Sequence, residues 1–214
     1  MLKSWLLSLS AGISALAFTY SASAGTTVEV FGGPSFLRKD TASFIVNTTE
    51  GGVPIAWDTN VTLTPHSGFA AGAIVGYQFQ NGLGLGLEGT FRRAGIDVSG
   101  AATAVIPVPV PQMVTSPISS KADEKAFALM MDISYEVPVG GPVSVYVEQG
   151  YGVAWNNSTH FAWQIGAGFN IALGKKTALS IGFRHFDGGG VDLGHGGEAK
   201  VVSGDVKVGL KFRI

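Results

Sequence analysis

The end of the chain reads as two chemically opposed sets with a period of two. Val202, Gly204, Val206, Val208, Leu210, Phe212 and Ile214 alternate with Ser203, Asp205, Lys207, Gly209, Lys211 and Arg213. Successive side chains of a strand point to opposite faces, so this segment is a strand with one apolar and one polar face. The same split recurs upstream in Val28–Gly33, Ala71–Phe79, Leu85–Arg92, Phe127–Glu136, Val143–Trp155, Phe161–Ile171 and Leu179–Arg184, making eight segments with the last. With their flanks, all have the roughly 9–11 residues that a tilted strand needs to cross a bilayer. The fold class is therefore all-β, an eight-stranded antiparallel up-and-down barrel.

The composition of the two sets decides which way they face. The polar set is mostly Gly, Ala and Ser with scattered charges, which suits a narrow lumen. The other set is bulky and aromatic, which suits a wall facing lipid. A secreted soluble barrel or sandwich is the alternative, with the apolar set inward and the polar set in water. Overall the chain is 46% hydrophobic and 14% charged, with 31 glycines, no cysteine and a formal net charge of −1. That balance predicts no nucleic-acid partner, no disulfide framework and no thiolate metal site.

The first 24 residues differ from the rest. Lys3 precedes an apolar run from Trp5 to Phe18, and Ala22-Ser23-Ala24 forms a small-residue cleavage pattern before Gly25. This is the arrangement of a cleaved secretory leader, and the run is short for a membrane-spanning helix. The expected organisation is a leader over 1–24 and one barrel domain over 25–214.

Tight turns are expected at Asn81-Gly82, Gly140-Gly141-Pro142 and Gly174-Lys175-Lys176. Longer outer loops are expected over 39–66, 99–124, 156–160 and 188–200, so short turns alternate with longer loops as in outer-membrane barrels. With both termini periplasmic, Phe91, Phe127, Tyr151, Trp155, Phe161, Trp163 and Phe183 fall near the outer interface. Tyr77, Phe79, Tyr135 and Phe212 fall near the inner one, giving two aromatic girdles.

The final residues, Lys207-Val208-Gly209-Leu210-Lys211-Phe212-Arg213-Ile214, resemble the C-terminal assembly signal of outer-membrane proteins, with Ile214 in place of the usual Phe. Gly76-Tyr77-Gln78-Phe79-Gln80-Asn81-Gly82-Leu83, then Leu87-Glu88-Gly89-Thr90-Phe91-Arg92, and later Gly182-Phe183-Arg184-His185-Phe186, resemble strands of the opacity-type, porin-family small barrels. The resemblance implies an outer-membrane location and recognition by the barrel assembly machinery through Lys207, Gly209, Phe212 and Ile214. For role it implies only a surface antigen, an adhesin or a barrel of unassigned activity.

The inward set carries Glu29, Glu88, Arg92, Asp132, Glu136, Glu148, Arg184, Asp205, Lys207, Lys211 and Arg213. An eight-stranded barrel has little lumen beyond its side chains, so these charges are expected to pair as a plug rather than line a pore. Glu88, Arg92, Glu148 and Arg184 are the expected members. Arg184-His185-Phe186-Asp187 is similar to a strand of lipid A deacylases, but Asp187 stands where a catalytic Ser would be, and without a hydroxyl nucleophile acyl transfer fails. Asp187, Asp192, His195 and Glu198 match no cation-loop spacing. The segment Ala101–Ile118, with Pro107, Pro109 and Pro111, offers an apolar, proline-spaced surface for a partner. The expected function is a monomeric, non-enzymatic, cofactor-free barrel with a structural or adhesin-like role. A small-solute porin is the alternative, and a lipid A-modifying enzyme is a remoter one. Its partners are outer-membrane lipids and lipopolysaccharide, and a host or surface ligand at the long outer loops.

Overall fold

The computed structural model describes residues 24–50, 52–106, 111–156, 158–194 and 197–214. The expected leader, except Ala24, lies outside the described residues, as do the tip 107–110 and His195. The side chains of Asp192 and Glu198 lie outside them too.

Ten strands account for the described chain: β1 (Gly25–Leu37), β2 (Asp40–Glu50), β3 (Val53–Pro65), β4 (Ser67–Gln78), β5 (Leu83–Ile106), β6 (Gln112–Gly140), β7 (Val143–Trp155), β8 (Thr159–Ala172), β9 (Thr177–Gly194) and β10 (Gly197–Arg213). There is no helix among the described residues. Eight strands close a ring in the order β4-β1-β10-β9-β8-β7-β6-β5, with β5 pairing β4 on one side and β6 on the other. Every pairing is antiparallel. Closure leaves no open sheet edge in hydrocarbon, where an unpaired backbone group costs several kcal/mol.

The expected turns are where the alternation stops. Gly82 adopts φ +86° between β4 and β5, and Asn81 Oδ1 accepts from the Leu83 N–H at 3.1 Å. Gly140 and Gly141 take φ +133° and +56° between β6 and β7. Such backbone is open to glycine and strained for most other residues.

Within the ring the bulky set faces out. Val208, Leu210 and Phe212 are 46%, 42% and 41% exposed, while Asp205 and Lys207 are 1% and 2% exposed. The soluble-barrel alternative, with those faces exchanged, is thereby overturned. Aromatic side chains pair along the outer interface, Phe69 with Phe91, Phe127 with Trp155 and Tyr151 with Phe161, and Tyr77 pairs with Phe79 at the inner one.

The long outer loops are corrected by the structure. Residues 39–66 form the β2–β3 hairpin, which extends the wall by pairing β3 with the outer half of β5. Most of 99–124 belongs to β5 and β6, paired from Leu83–Tyr135 out to Ile106–Gln112. Most of 188–200 belongs to β9 and β10 rather than to a flexible loop. In this outer extension the polarity of the faces reverses. On β5, Leu85, Leu87 and Phe91 face out below, whereas Asp97, Ser99 and Thr103 share that face above, and Ala94, Ile96, Val98 and Ala104 turn inward. Water replaces lipid outside the wall, so the apolar set changes sides. The β3–β4 strand reaches the same result differently. Its register against β5 slips by one at His66, between Pro65 opposite Ile96 and Phe69 opposite Arg93. Odd-numbered Phe69, Val75 and Tyr77 therefore face lipid, while odd-numbered Ile55, Thr59 and Val61 are buried.

The outer rim is uneven. The β7–β8 hairpin ends at Trp155 and Thr159, opposite Phe127, so residues 112–126 of β6 pair with β5 alone.

Candidate functional site

The lumen holds the buried chemistry of the molecule. Period-two alternation sends one polar or small side chain inward at every second position, and the ring stacks them in layers. Nearest the outer end, Arg92 donates to Asp205 Oδ2 through Nη2 at 3.0 Å and Nε at 3.3 Å. Ser35 and Ser203 donate to Asp205 Oδ1 at 2.6 and 2.9 Å. The Arg92 guanidinium lies over the Phe186 ring, 3.6 Å from its centroid. Below it, Arg184 Nη1 donates to both oxygens of Glu88, at 2.8 and 2.7 Å, and Thr90 donates to the same carboxylate. Gln164 Nε2 bridges Glu88 and Asp132, at 3.2 and 2.8 Å. Lower still, Lys207 reaches Glu148 at 2.8 Å and Glu29 at 3.4 Å. Lys211 bonds Glu136 at 2.9 Å and Gln78 at 3.0 Å near the inner mouth.

These side chains need room, and glycines on facing strands supply it. A Cβ on Gly168 or Gly182 would collide with the Tyr146 hydroxyl, and one on Gly72 or Gly209 with Phe31. The remaining space is small. A cavity of about 50 Å³ lies among Glu29, Gln78, Asp132, Tyr146, Glu148 and Lys211, and one of about 170 Å³ lies at the inner mouth beside Lys175, Lys176 and Arg213. The first has room for a few waters and is far below the roughly 300–1,000 Å³ of a small-molecule site.

Of the expected network members, Glu88 and Arg184 meet each other, Arg92 meets Asp205, and Glu148 meets Lys207. Sequence reasoning placed Asp205 and Lys207 on the inward face but did not pick them as centres. It missed Gln164, Tyr146, Phe31 and Phe186 as lumen fillers. All share the inward parity, and that was the available signal.

Residues 6–213 match the outer membrane protein beta-barrel domain family. The chain belongs to this family. Like other barrels of the family it resides in the bacterial outer membrane, its apolar wall in contact with lipid. No curated protein sequence matches it. Among solved structures it is similar to neisserial surface protein A (NspA), at 15% identity and TM-score 0.54, over 90% of this chain and 100% of that one. It is also similar to the outer membrane protein OprG from Pseudomonas aeruginosa, at 15% identity and TM-score 0.55, over 91% and 98%. At that identity the likeness extends to the fold alone.

The barrel places the other singled-out residues on its wall. His185 faces out against Trp163, ring centroids 5.3 Å apart, and Asp187 accepts from the Gly189 N–H at 3.0 Å. Among the described residues no group of metal-ligating side chains forms a cation site. In the C-terminal segment, Phe212 and Ile214 are exposed on the outer wall, Gly209 lies under Phe31, and Lys207 is committed to the lumen.

Proposed function

We propose that this protein is a non-enzymatic structural and surface-interaction barrel of the outer membrane, with a lumen closed by its own side chains. The carrying observation is the stack of Arg92–Asp205, Arg184–Glu88–Gln164 and Lys207–Glu148 contacts, all buried, with the Arg92 guanidinium packed against the Phe186 ring. Buried charges with mutual partners act as filling, because opening a water path would break several charge-assisted bonds together. The outer extension of β2, β3, β5 and β6 then presents the surface that meets a host or neighbouring-cell ligand. Residues 1–24 act as a cleaved leader, and Lys207, Gly209, Phe212 and Ile214 as the mark read during assembly. The finished barrel works as a monomer.

Planar-bilayer recording tests the closed lumen. The expected trace has no discrete open-channel steps, and reproducible steps would favour the small-solute porin instead. The surface role is tested by removing residues 100–118 and joining Ser99 to Ser119, which face each other across β5 and β6. Cell-surface binding should fall while heat-modifiable gel mobility persists. Undiminished binding would move the role away from this hairpin.

A further inference from the structure

At the inner end of the barrel the charge is one-sided. Of the three turns there, 79–82 and 141–142 carry no charge, while 173–176 contains Lys175 and Lys176, both exposed. The Arg213 N–H donates to the Lys176 carbonyl at 2.8 Å, which ties the end of β10 to that turn. Arg213 shares the inward parity of Lys211, and its neighbours Phe212 and Ile214 face out. Among the described residues lining this mouth, Glu136 is the one carboxylate, and Lys211 already pairs with it at 2.9 Å. No carboxylate among the described residues lies within ion-pair distance of Lys175, Lys176 or Arg213. Uncompensated cations thus gather at one end of a chain whose formal net charge is −1.

These cations surround a hollow. The mouth cavity of about 170 Å³ is lined by Lys175, Lys176, Lys211 and Arg213, and it shares Thr27, Glu136, Asn170 and Lys211 with the cavity of about 50 Å³ above it. Two polar atoms in its wall have no hydrogen-bond partner among the described residues. Asn170, 4% exposed, leaves Oδ1 without a donor, and Arg213 leaves Nε without an acceptor. A buried polar atom left unpaired costs the desolvation of that atom. The hollow therefore suits a ligand that is anionic at the rim and brings a hydrogen-bond donor farther in. Its side chains point to the barrel axis, so the ligand arrives from the periplasm along that axis and not sideways from the bilayer. A peptide with acidic side chains supplies both needs, carboxylates for the cations and backbone N–H groups beside them.

We propose that the inner mouth binds an acidic peptide of the periplasm, its carboxylates held by Lys175, Lys176 and Arg213 and a backbone N–H donated to Asn170 Oδ1. A cleft lined by one sign of charge raises the local concentration of its counter-ion. The guanidinium offers a planar fork of donors that matches a carboxylate, and each lysine adds a point charge on a flexible stem. The site lies below the paired layers of the lumen, so filling it opens no path through them. It rests on the orientation of the barrel, short turns toward the periplasm, and is independent of the surface role proposed above.

The test places the folded protein in phosphatidylcholine nanodiscs, which leave both mouths open to solution, and titrates ligands by calorimetry. End-blocked tetraglutamate, end-blocked tetraglutamine and inorganic phosphate are compared. Tetraglutamate should bind, more weakly as salt is raised, and the other two should give no heat of binding at the same concentrations. Silence from tetraglutamate, or equal binding of tetraglutamine, would overturn the site. Equal binding of phosphate would overturn the peptide as its occupant. Lys175→Gln/Lys176→Gln should weaken tetraglutamate about tenfold, the loss expected of two exposed ion pairs. Heat-modifiable gel mobility checks that this variant folds, and should it not, Lys175→Gln alone serves with a smaller loss. Arg93→Gln/Lys125→Gln, at the outer end, should bind as the unaltered chain does. Undiminished affinity in the inner variant, or a loss in the outer one, overturns the proposal.

Discussion

At the scale of single residues, the barrel's stability is concentrated in few side chains. Arg184 gives two hydrogen bonds to Glu88 and lies 3.8 Å from Asp205, with almost no exposure to water. Arg184→Met would strand Glu88, and breaking one side of a buried pair costs about 3–5 kcal/mol. The loss should appear as a lower denaturant midpoint in lipid vesicles. The double variant Glu88→Gln/Arg184→Met should recover part of it, because no unpaired charge then remains. Asp40 does a different job at the surface. Its carboxylate accepts from the Lys200 N–H at 2.7 Å and the Thr41 N–H at 2.9 Å, tying β2 to β10. Those two backbone bonds, the Lys200 one foremost, hold its pKa below the ordinary value of 3.8. A carboxylate with a depressed folded-state pKa stabilises fully above its unfolded value and loses that contribution as pH falls through the folded one. Hydrogen exchange of 40–65 should therefore quicken below about pH 4. Asp40→Ala should show the faster exchange at neutral pH already, with little further change on acidification.

At the scale of strands, the boundary between lipid and water is written into the phase of each alternation. β5 keeps its phase and moves its apolar residues from odd to even positions, between Phe91 and Ala94. β3 and β4 keep apolar residues at odd positions and shift the backbone at His66, whose N–H donates to the Gly95 carbonyl at 2.8 Å. Removing His66 alone should leave an unbroken strand with Pro65 still opposite Ile96 and with Ile55, Trp57 and Val61 still inward, because the residue deleted is the extra one at the slip. Removing Pro65 and His66 together should turn Ile55, Trp57 and Val61 toward water, since a slip of one residue exchanges the faces of a strand. Limited proteolysis should thus cut the 40–65 hairpin readily in the second variant and less in the first, with the ring compact in both. This boundary also explains what could be read from sequence. Strands such as β8 and β10, where bulky and small residues alternate through the membrane, declare both their type and their facing. The outer hairpin looks like loop in the sequence because its alternation, Thr59, Val61 and Leu63 against Asn60, Thr62 and Thr64, is mild and runs in the sense opposite to the membrane strands. The lumen was legible as a set of inward charges. Its pairings were not, because which inward residue meets which depends on strand stagger around the ring, and stagger leaves no mark in a single strand. Asp205 illustrates this: it meets Arg92, from far away in the chain, through the curvature of the closed wall.

At the scale of the whole molecule, the wall is tall on the side of β2, β3, β5 and β6 and low at β7 and β8. The low side leaves the outer part of β6 with one flank unpaired. In a crowded membrane, such a flank is where a strand of a second copy could dock and begin a chain of copies. The flank carries its own deterrents. Pro117 offers an incoming strand no N–H, and exposed Lys121 and Lys125 set cationic side chains along it. A long stretch of bare backbone on the rim is thus accompanied by three side chains that work against pairing along it.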